Sequence, residues 1–191
     1  MIVPSFWRPT LTIALIVIVA SCSAQTSNEV KTVATLNAVT DESTETGDLS
    51  LFLDEVAKLE QPVDAASRLG DPAVYFVARG GTVHKFVDTG LDSEPVLDIS
   101  DLTKGQGERG LLGLAFSTDG STAFINYTDL NGDTTIASLN VSENGAFARE
   151  TLKTILVIDQ PFDNHNAGDI VVEPNGMLLV PMGDGGSAND P

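Results

Sequence analysis

Short apolar stretches that alternate with turn residues are the feature that most constrains the fold of this chain. Beyond about residue 70, runs rich in Val, Ile, Leu, Phe and Tyr are separated by turn signals such as Asp-Gly and Pro-Asn-Gly. Apolar runs of this length with a turn between each are typical of antiparallel β-structure. The sequence therefore predicts an all-β fold. The predicted strands are residues 73–78, 82–87, 112–116, 122–127, 134–141, 154–159, 169–173 and 177–182.

A repeated passage favours one all-β architecture. The run that turns at Asp119-Gly120 and ends near Asp129 resembles the run that turns at Asn175-Gly176 and ends near Asp184. The recurrence is about every 50 residues, which is the size of a four-stranded propeller blade. The strand spacing also fits a β-sandwich, but the repeat favours a β-propeller. Residues 50–191 are expected to form a partial propeller of about two to three blades, truncated at its C-terminus, since propellers close with about four to eight.

The segment that precedes the predicted strands is ambiguous. Residues 51–59 fit either a short helix or a strand. Residues 22–49 are rich in Ser, Thr, Asn, Asp and Glu and contain few large apolar side chains. Such a composition cannot bury enough apolar surface to offset its ordering entropy, so we expect a flexible tether there.

The N-terminus has the pattern of an export signal. Arg8 is the one charged residue before an apolar run at 11–20, which is too short to span a bilayer but suits a signal peptide. The run ends Val-Ala-Ser-Cys at 19–22, which resembles a bacterial lipobox. We therefore expect residues 1–21 to be a signal peptide and Cys22 to be lipidated, which anchors the protein to a membrane in the cell envelope, the periplasm or at the cell surface. The alternatives are an ordinary signal peptide with an incidental cysteine, or a short membrane anchor.

Charge and cysteine content exclude some classes of protein. The net charge is −17, from 27 acidic and 10 basic residues. A surface this acidic repels nucleic acid, because binding to phosphates needs Lys and Arg. Cys22 is the one cysteine, so an intramolecular disulfide is not possible.

Four motifs occur in a fixed order along the predicted strands and loops. They are ERGLLGLAF (108–116), NYTDLNGDT (126–134), NHNAG (164–168) and GDGG (183–186). In this order and spacing they resemble the soluble PQQ-dependent glucose/sorbosone (aldose sugar) dehydrogenases, over about residues 65–191. The resemblance implies a six-bladed β-propeller that binds pyrroloquinoline quinone (PQQ) and Ca²⁺, oxidises a sugar at C1 and passes electrons to an external acceptor.

The same resemblance assigns roles to particular residues. His165 would be the general base that takes the proton of the C1 hydroxyl while hydride passes to the quinone. Histidine suits this task because its ordinary pKa lies near neutrality. Asp184 would hydrogen-bond to His165 and fix its tautomer. Glu108 would contact the quinone or the sugar, Asn164 would contact the cofactor, and Asp169 would add negative charge near the base.

Part of the implied site is not expected in this chain. By resemblance, the Arg and Lys residues that clamp the quinone and the Ca²⁺ ligands lie in later blades, after Pro191. The chain by itself is therefore expected to be unable to hold PQQ tightly, and to be inactive. Two other functions remain open: a non-catalytic propeller that binds a partner, or a Ca²⁺-dependent propeller lactonase.

Two further features have simpler structural explanations. The stretch Asp129 to Asp133 has alternating oxygen side chains that suit Ca²⁺, but it lacks the rest of an EF-hand loop, and a hairpin turn is the preferred interpretation. His84 lies in a predicted strand and is expected to be structural.

Overall fold

The computed structural model describes residues 12–13, 36–37, 53–88 and 90–186. The chain divides into two compact units, Met1–Lys58 and Leu59–Pro191. In the first unit β1 (Thr12–Ile13) pairs antiparallel with β2 (Leu36–Asn37). Apart from these two dipeptides, the predicted signal peptide, the lipobox cysteine Cys22 and the predicted tether lie outside the described residues.

The second unit begins with a five-stranded antiparallel sheet, the first sheet. Its strands follow the order β3-β4-β5-β6, and β7 also pairs with β5. The bounds are β3 (Pro62–Ser67), β4 (Val74–Ala78), β5 (Thr82–Val87), β6 (Gly90–Leu91) and β7 (Leu97–Asp98).

A four-stranded antiparallel sheet follows, the second sheet. Its order is β8-β9-β10-β11, so each strand pairs with the next along the chain. The bounds are β8 (Leu111–Phe116), β9 (Thr122–Thr128), β10 (Thr134–Val141) and β11 (Phe147–Ile158). Beyond it, β12 (Val171–Val172) and β13 (Leu178–Leu179) form a short hairpin.

Two apolar clusters join these sheets in series. The larger cluster lies between the first and second sheets and contains the rings of Tyr75, Phe116 and Phe147, with ring centroids 5.0–5.9 Å apart. Burial of one such ring stabilises the fold by about 1.5–3 kcal/mol. A smaller cluster joins Ala115 and Ile136 on the other face of the second sheet to Ile170, with side chains of the β12–β13 hairpin packed against it.

β8, β9 and β10 of the second sheet are therefore largely buried, with apolar clusters on both faces, whereas β11 is mostly exposed. Sheets packed face to face in chain order are consistent with successive propeller blades. The number of blades stays a prediction.

A buried polar network also connects the first two sheets. The Asp71 carboxylate accepts hydrogen bonds from the Tyr75 hydroxyl (2.7 Å), the Lys85 ammonium (3.1 Å) and the backbone of Ala73 (3.0 Å). Lys85 also donates to the Asn144 carbonyl, in the turn between β10 and β11. Burial raises the pKa of Asp71, but the hydrogen bonds from Ala73, Tyr75 and Lys85 outweigh it and leave this pKa below its usual value.

The all-β prediction is confirmed for the described residues, and most predicted strands are present. Two corrections concern bounds: β11 begins at Phe147 instead of Thr154, and the β12–β13 ladder is only two residue pairs long. The prediction of a helix or strand at 51–59 was wrong for residues 53–59, which form neither. This segment contains Asp54, Glu55 and Lys58, and most of its described residues are exposed, so burial does not stabilise a regular element. No helix in the described part of the chain is long and apolar enough to cross a bilayer.

Candidate active site

The sequence motifs meet at one loop between β11 and β12, which we call the His165 loop (residues 159–170). Two hydrogen bonds fix the beginning of this loop, one to the NYTDLNGDT motif and one from the ERGLLGLAF motif. The backbone N–H of Gln160 donates to Asp133 Oδ1 (3.0 Å), and Arg109 Nη2 donates to the Phe162 carbonyl (3.1 Å). Residues that are far apart in sequence thus hold the loop that carries the predicted base.

Two glycines allow other segments to approach this loop closely. A Cβ on Gly113, in β8, would collide with the carbonyl oxygen of Gly168. A Cβ on Gly183 would collide with the carbonyl oxygen of His165. The motif glycines therefore have a packing role, because a side chain at either position would push the His165 loop away from β8 or from residues 183–186.

His165 itself has an unusual backbone conformation. Its φ is 58°, and Ala167 has a φ of 57°, so two non-glycine residues lie in the left-handed region. This region costs about 1–2 kcal/mol for an L-residue and persists where the surroundings enforce it. Such residues cluster at functional sites, so the strain supports a role for this loop beyond chain connection.

The structure contains the predicted pair of His165 and Asp184. His165 Nδ1 lies 2.7 Å from Asp184 Oδ1, and the side chains are 46% and 34% exposed. The backbone N–H of Gly186 donates to the same Asp184 oxygen (2.9 Å) and helps to orient the carboxylate. A carboxylate bonded to Nδ1 favours the tautomer whose Nε2 can accept a proton. An exposed imidazole held in this way can act as a general base.

Glu108 lies beside this pair. Its Oε2 accepts a hydrogen bond from the backbone N–H of His165 (2.6 Å), although the two residues are 57 positions apart in sequence. Asn164 is half-buried and packs against Gly186, where a Cβ would collide with the Asn164 amide and carbonyl oxygens. The structure thus brings the predicted residues Glu108, Asn164, His165 and Asp184 together in one place.

Asn166 and Asp169 complete the surroundings. Asn166 is 2% exposed, and neither atom of its side-chain amide has a hydrogen-bond partner in the structure. Asp64, in β3, accepts a hydrogen bond from the backbone N–H of Leu114 (2.8 Å). The negative charge of Asp169 lies close enough to Asp64 to affect its pKa. Burial raises the pKa of Asp64, and the nearby Asp169 raises it further, although the backbone hydrogen bonds oppose this.

The stretch Asp129 to Asp133 and the residue His84 take part in local structural contacts. Asp129 Oδ1 accepts backbone hydrogen bonds from Asn131, Gly132 and Asp133 (2.8–3.0 Å), so the predicted hairpin turn is confirmed. The half-buried His84 places Nε2 3.0 Å from the Thr82 hydroxyl. Among the described residues, no group of three or more His, Cys, Asp or Glu side chains is arranged to hold a metal ion.

An open depression lies elsewhere on the described part of the molecule. It is lined by Leu102, Arg149, Glu150 and Leu152 and contains none of the predicted site residues. Arg149 at its edge forms an ion pair with Asp101, in which Nη2 donates to both carboxylate oxygens. We therefore locate the candidate site by the His165 contacts and not by the shape of the surface.

Sequence reasoning missed three contributors to the site. The bond from the His165 backbone to Glu108 gave no sequence signal, because a backbone N–H has no pattern. Asn166 lies in the third motif, NHNAG, but the burial of its amide without a partner was not predicted. Arg109 had a signal, since it directly follows Glu108 in the first motif, but its contact with the Phe162 carbonyl was not predicted.

Comparison with known proteins agrees with the fold and the motifs. No family model matches the chain. An oxidoreductase of Thermus thermophilus assigned as a glucose dehydrogenase is similar to 68% of this chain, with a TM-score of 0.55 and 26% identity. The soluble aldose sugar dehydrogenase of Escherichia coli is similar to 69%, with a TM-score of 0.58 and 20% identity. A further glucose dehydrogenase structure is similar to 66%, with a TM-score of 0.56 and 21% identity.

The sheets and the His165 loop therefore define an all-β protein with antiparallel sheets in series. More particularly, the chain resembles the soluble glucose and aldose sugar dehydrogenases, as its motifs predicted. The chain spans 38–40% of the length of these solved structures.

Proposed function

We propose that this chain is part of a PQQ-dependent dehydrogenase that oxidises aldose sugars at C1. The observation that carries the proposal is the His165–Asp184 pair, 2.7 Å apart, in a fold similar to that of sugar dehydrogenases. The fold alone would not assign a function, because one fold serves many. The proposal depends on the fold together with an oriented, exposed base.

The chain's own residues would supply proton transfer. Nε2 of His165 would accept the proton of the C1 hydroxyl, because the Asp184 carboxylate keeps the other ring nitrogen protonated. The positive charge that then develops on the ring is stabilised by the adjacent carboxylate. With the side chain of His165 46% exposed, a sugar can approach the ring from solvent. The strained backbone and the contacts from Glu108 and Gly183 hold the ring in one direction.

PQQ and Ca²⁺ are proposed as cofactors. When bound, the quinone would accept the hydride from C1 of the sugar. The donor set fits one side of such a site: Glu108 and Asn164 lie next to the base, and the Asn166 amide has unused hydrogen-bonding capacity. Arg109 is a cation that reaches the His165 loop, but its guanidinium donates to a backbone carbonyl. The cations that would bind the quinone carboxylates, and the Ca²⁺ ligands, are proposed to belong to later blades.

The cellular setting is also a proposal. Lipidation at Cys22 would attach the enzyme to a membrane of the cell envelope, and electrons would pass to an external acceptor. Labelling of the intact protein with a radioactive fatty acid tests the anchor. Incorporation should be abolished by Cys22→Ser, and incorporation that persists in this variant would refute the anchor.

Sugar-dependent dye reduction tests the proposed reaction. The intact protein is titrated with PQQ and Ca²⁺ and assayed with a panel of aldoses, beside His165→Ala and the control His84→Ala. Loss of a general base lowers the rate by about 10²–10⁴-fold, whereas the control should keep wild-type activity. A well-folded protein that binds neither PQQ nor any aldose would refute the proposal and favour a propeller that binds a partner.

A further inference from the structure

Glu108 makes a contact that its predicted role as a cofactor ligand does not explain. Its Oε2 lies 2.6 Å from the backbone nitrogen of His165 and accepts the N–H hydrogen bond. Because the acceptor is a carboxylate, this bond is charge-assisted and is stronger than a bond between two neutral groups. The carboxylate thus acts on the backbone of the residue proposed as the base.

The backbone that this bond holds is in a conformation that L-residues avoid. His165 has a φ of 58° and is followed two positions later by Ala167 with a φ of 57°. A left-handed backbone directs the side chain differently from an extended or helical one, so the direction of the imidazole depends on keeping this conformation. Strained residues persist only where several contacts determine them.

Two segments contact three different parts of His165. Glu108, from the segment before β8, binds the N–H. Gly183 lies against the carbonyl oxygen, where no side chain would fit. Asp184 binds ring Nδ1 at 2.7 Å. Of these contacts, that of Glu108 fixes the peptide that enters His165, which determines the φ angle of this residue.

We propose that Glu108 is a positioning residue for His165. Its carboxylate holds the backbone N–H and thereby maintains the left-handed conformation in which the imidazole reaches Asp184. The inference rests on the proposed function for its effect on turnover, but its structural part concerns only the His165–Asp184 pair. It predicts that the bond to the backbone matters more than the negative charge of Glu108.

The test compares Glu108→Gln with Glu108→Ala in the intact protein. Glutamine keeps an oxygen that can accept the N–H, whereas alanine removes the acceptor. Glu150→Ala, which removes another exposed carboxylate on β11, is the matched control. The chain has two histidines, so labelling of histidine nitrogens gives two sets of NMR signals, and His84→Gln assigns them.

The first readout does not require activity. We expect the Nδ1 nitrogen signal of His165, whose chemical shift reports the hydrogen bond to Asp184, to keep its wild-type position in Glu108→Gln and in the control, and to move in Glu108→Ala. The second readout is turnover with saturating aldose. We expect Glu108→Ala to lower kcat about 10-fold or more with little change in KM. We expect Glu108→Gln to keep most of the wild-type kcat.

Each outcome bears on the proposal. An unchanged Nδ1 signal in Glu108→Ala would overturn it. Equal damage by Gln and Ala would also overturn it, because the negative charge, and not the backbone bond, would then be what matters. If Glu108→Ala does not fold, the Nδ1 signal of Glu108→Gln decides: a wild-type position supports the proposal and a moved signal overturns it. If the wild-type protein oxidises no sugar, the proposed function fails, while the NMR comparison still tests the positioning role.

Discussion

Replacing Asp184 by Asn tests how much the carboxylate contributes to the base. In a buried catalytic triad the corresponding change costs about 10⁴-fold in kcat. Here the two side chains are 46% and 34% exposed, so water screens the interaction and can solvate the imidazolium. A hydrogen bond to a charged group contributes about 1.5–3 kcal/mol, which corresponds to about 10–150-fold. Because of the exposure we expect a loss near the lower end, about 10-fold.

The assay for this change is the pH dependence of kcat/KM in the intact protein with PQQ, Ca²⁺ and an aldose. The carboxylate favours the protonated imidazole, so the activity of Asp184→Asn should decline at a lower pH than that of the wild type as the solution is acidified. Asp163→Asn removes an exposed carboxylate in the same loop and should leave the profile unchanged. A loss of about 10⁴-fold, or a profile that moves equally in both variants, would refute the argument from exposure.

The remaining predictions concern stability and packing. Asp71→Ala leaves Lys85 and the Tyr75 hydroxyl without their shared acceptor. It should lower the free energy of unfolding, measured in urea, by about 3–5 kcal/mol, whereas Tyr75→Phe should lower it by about 1 kcal/mol. Similar losses in the two variants would contradict this prediction. The pKa of Asp71 is below its ordinary value of 3.8. The stabilising contribution of this carboxylate should therefore be complete above pH 3.8 and be lost as the pH falls below that value. A urea midpoint that depends on pH equally in the wild type and in Asp71→Asn would argue against this. Gly183→Ala places a Cβ against the His165 carbonyl and should lower kcat by at least 10-fold. Gly80→Ala, which has open space around it and no left-handed backbone, should keep kcat near wild type. Unchanged turnover in Gly183→Ala would show that the loop can shift.

β8, β9 and β10 of the second sheet were predictable because their buried positions require apolar residues, which the sequence shows as short apolar stretches. β8 is an almost wholly apolar run, β10 carries Ile136, Ala137, Leu139 and Val141 among polar side chains, and the structure buries most residues of both strands. β3 was missed because Pro62, Asp64 and small residues give it little apolar character, and its side chains are at most half-buried. The first half of β11 was missed for a similar reason, since Arg149 and Glu150 are exposed.

The candidate site was predictable only where side chains carry the chemistry. The pairing of His165 with Asp184 followed from the motifs, and the structure contains it. The contact of Glu108 with the His165 backbone could not be predicted, because a backbone N–H gives no sequence signal. The left-handed conformation at His165 was also hidden, since sequence patterns identify this conformation mainly at glycine.

The most direct test of the proposed function follows the hydrogen at C1 of the sugar. The intact protein, loaded with PQQ and Ca²⁺, is mixed in a single turnover with an aldose or with the same aldose deuterated at C1, and cofactor reduction and the product are measured. We expect slower reduction with the deuterated sugar, a product oxidised at C1, and loss of both reduction and product in His165→Ala. Reduction at equal rates with both sugars and oxidation at another carbon, or activity that persists without His165, would contradict it.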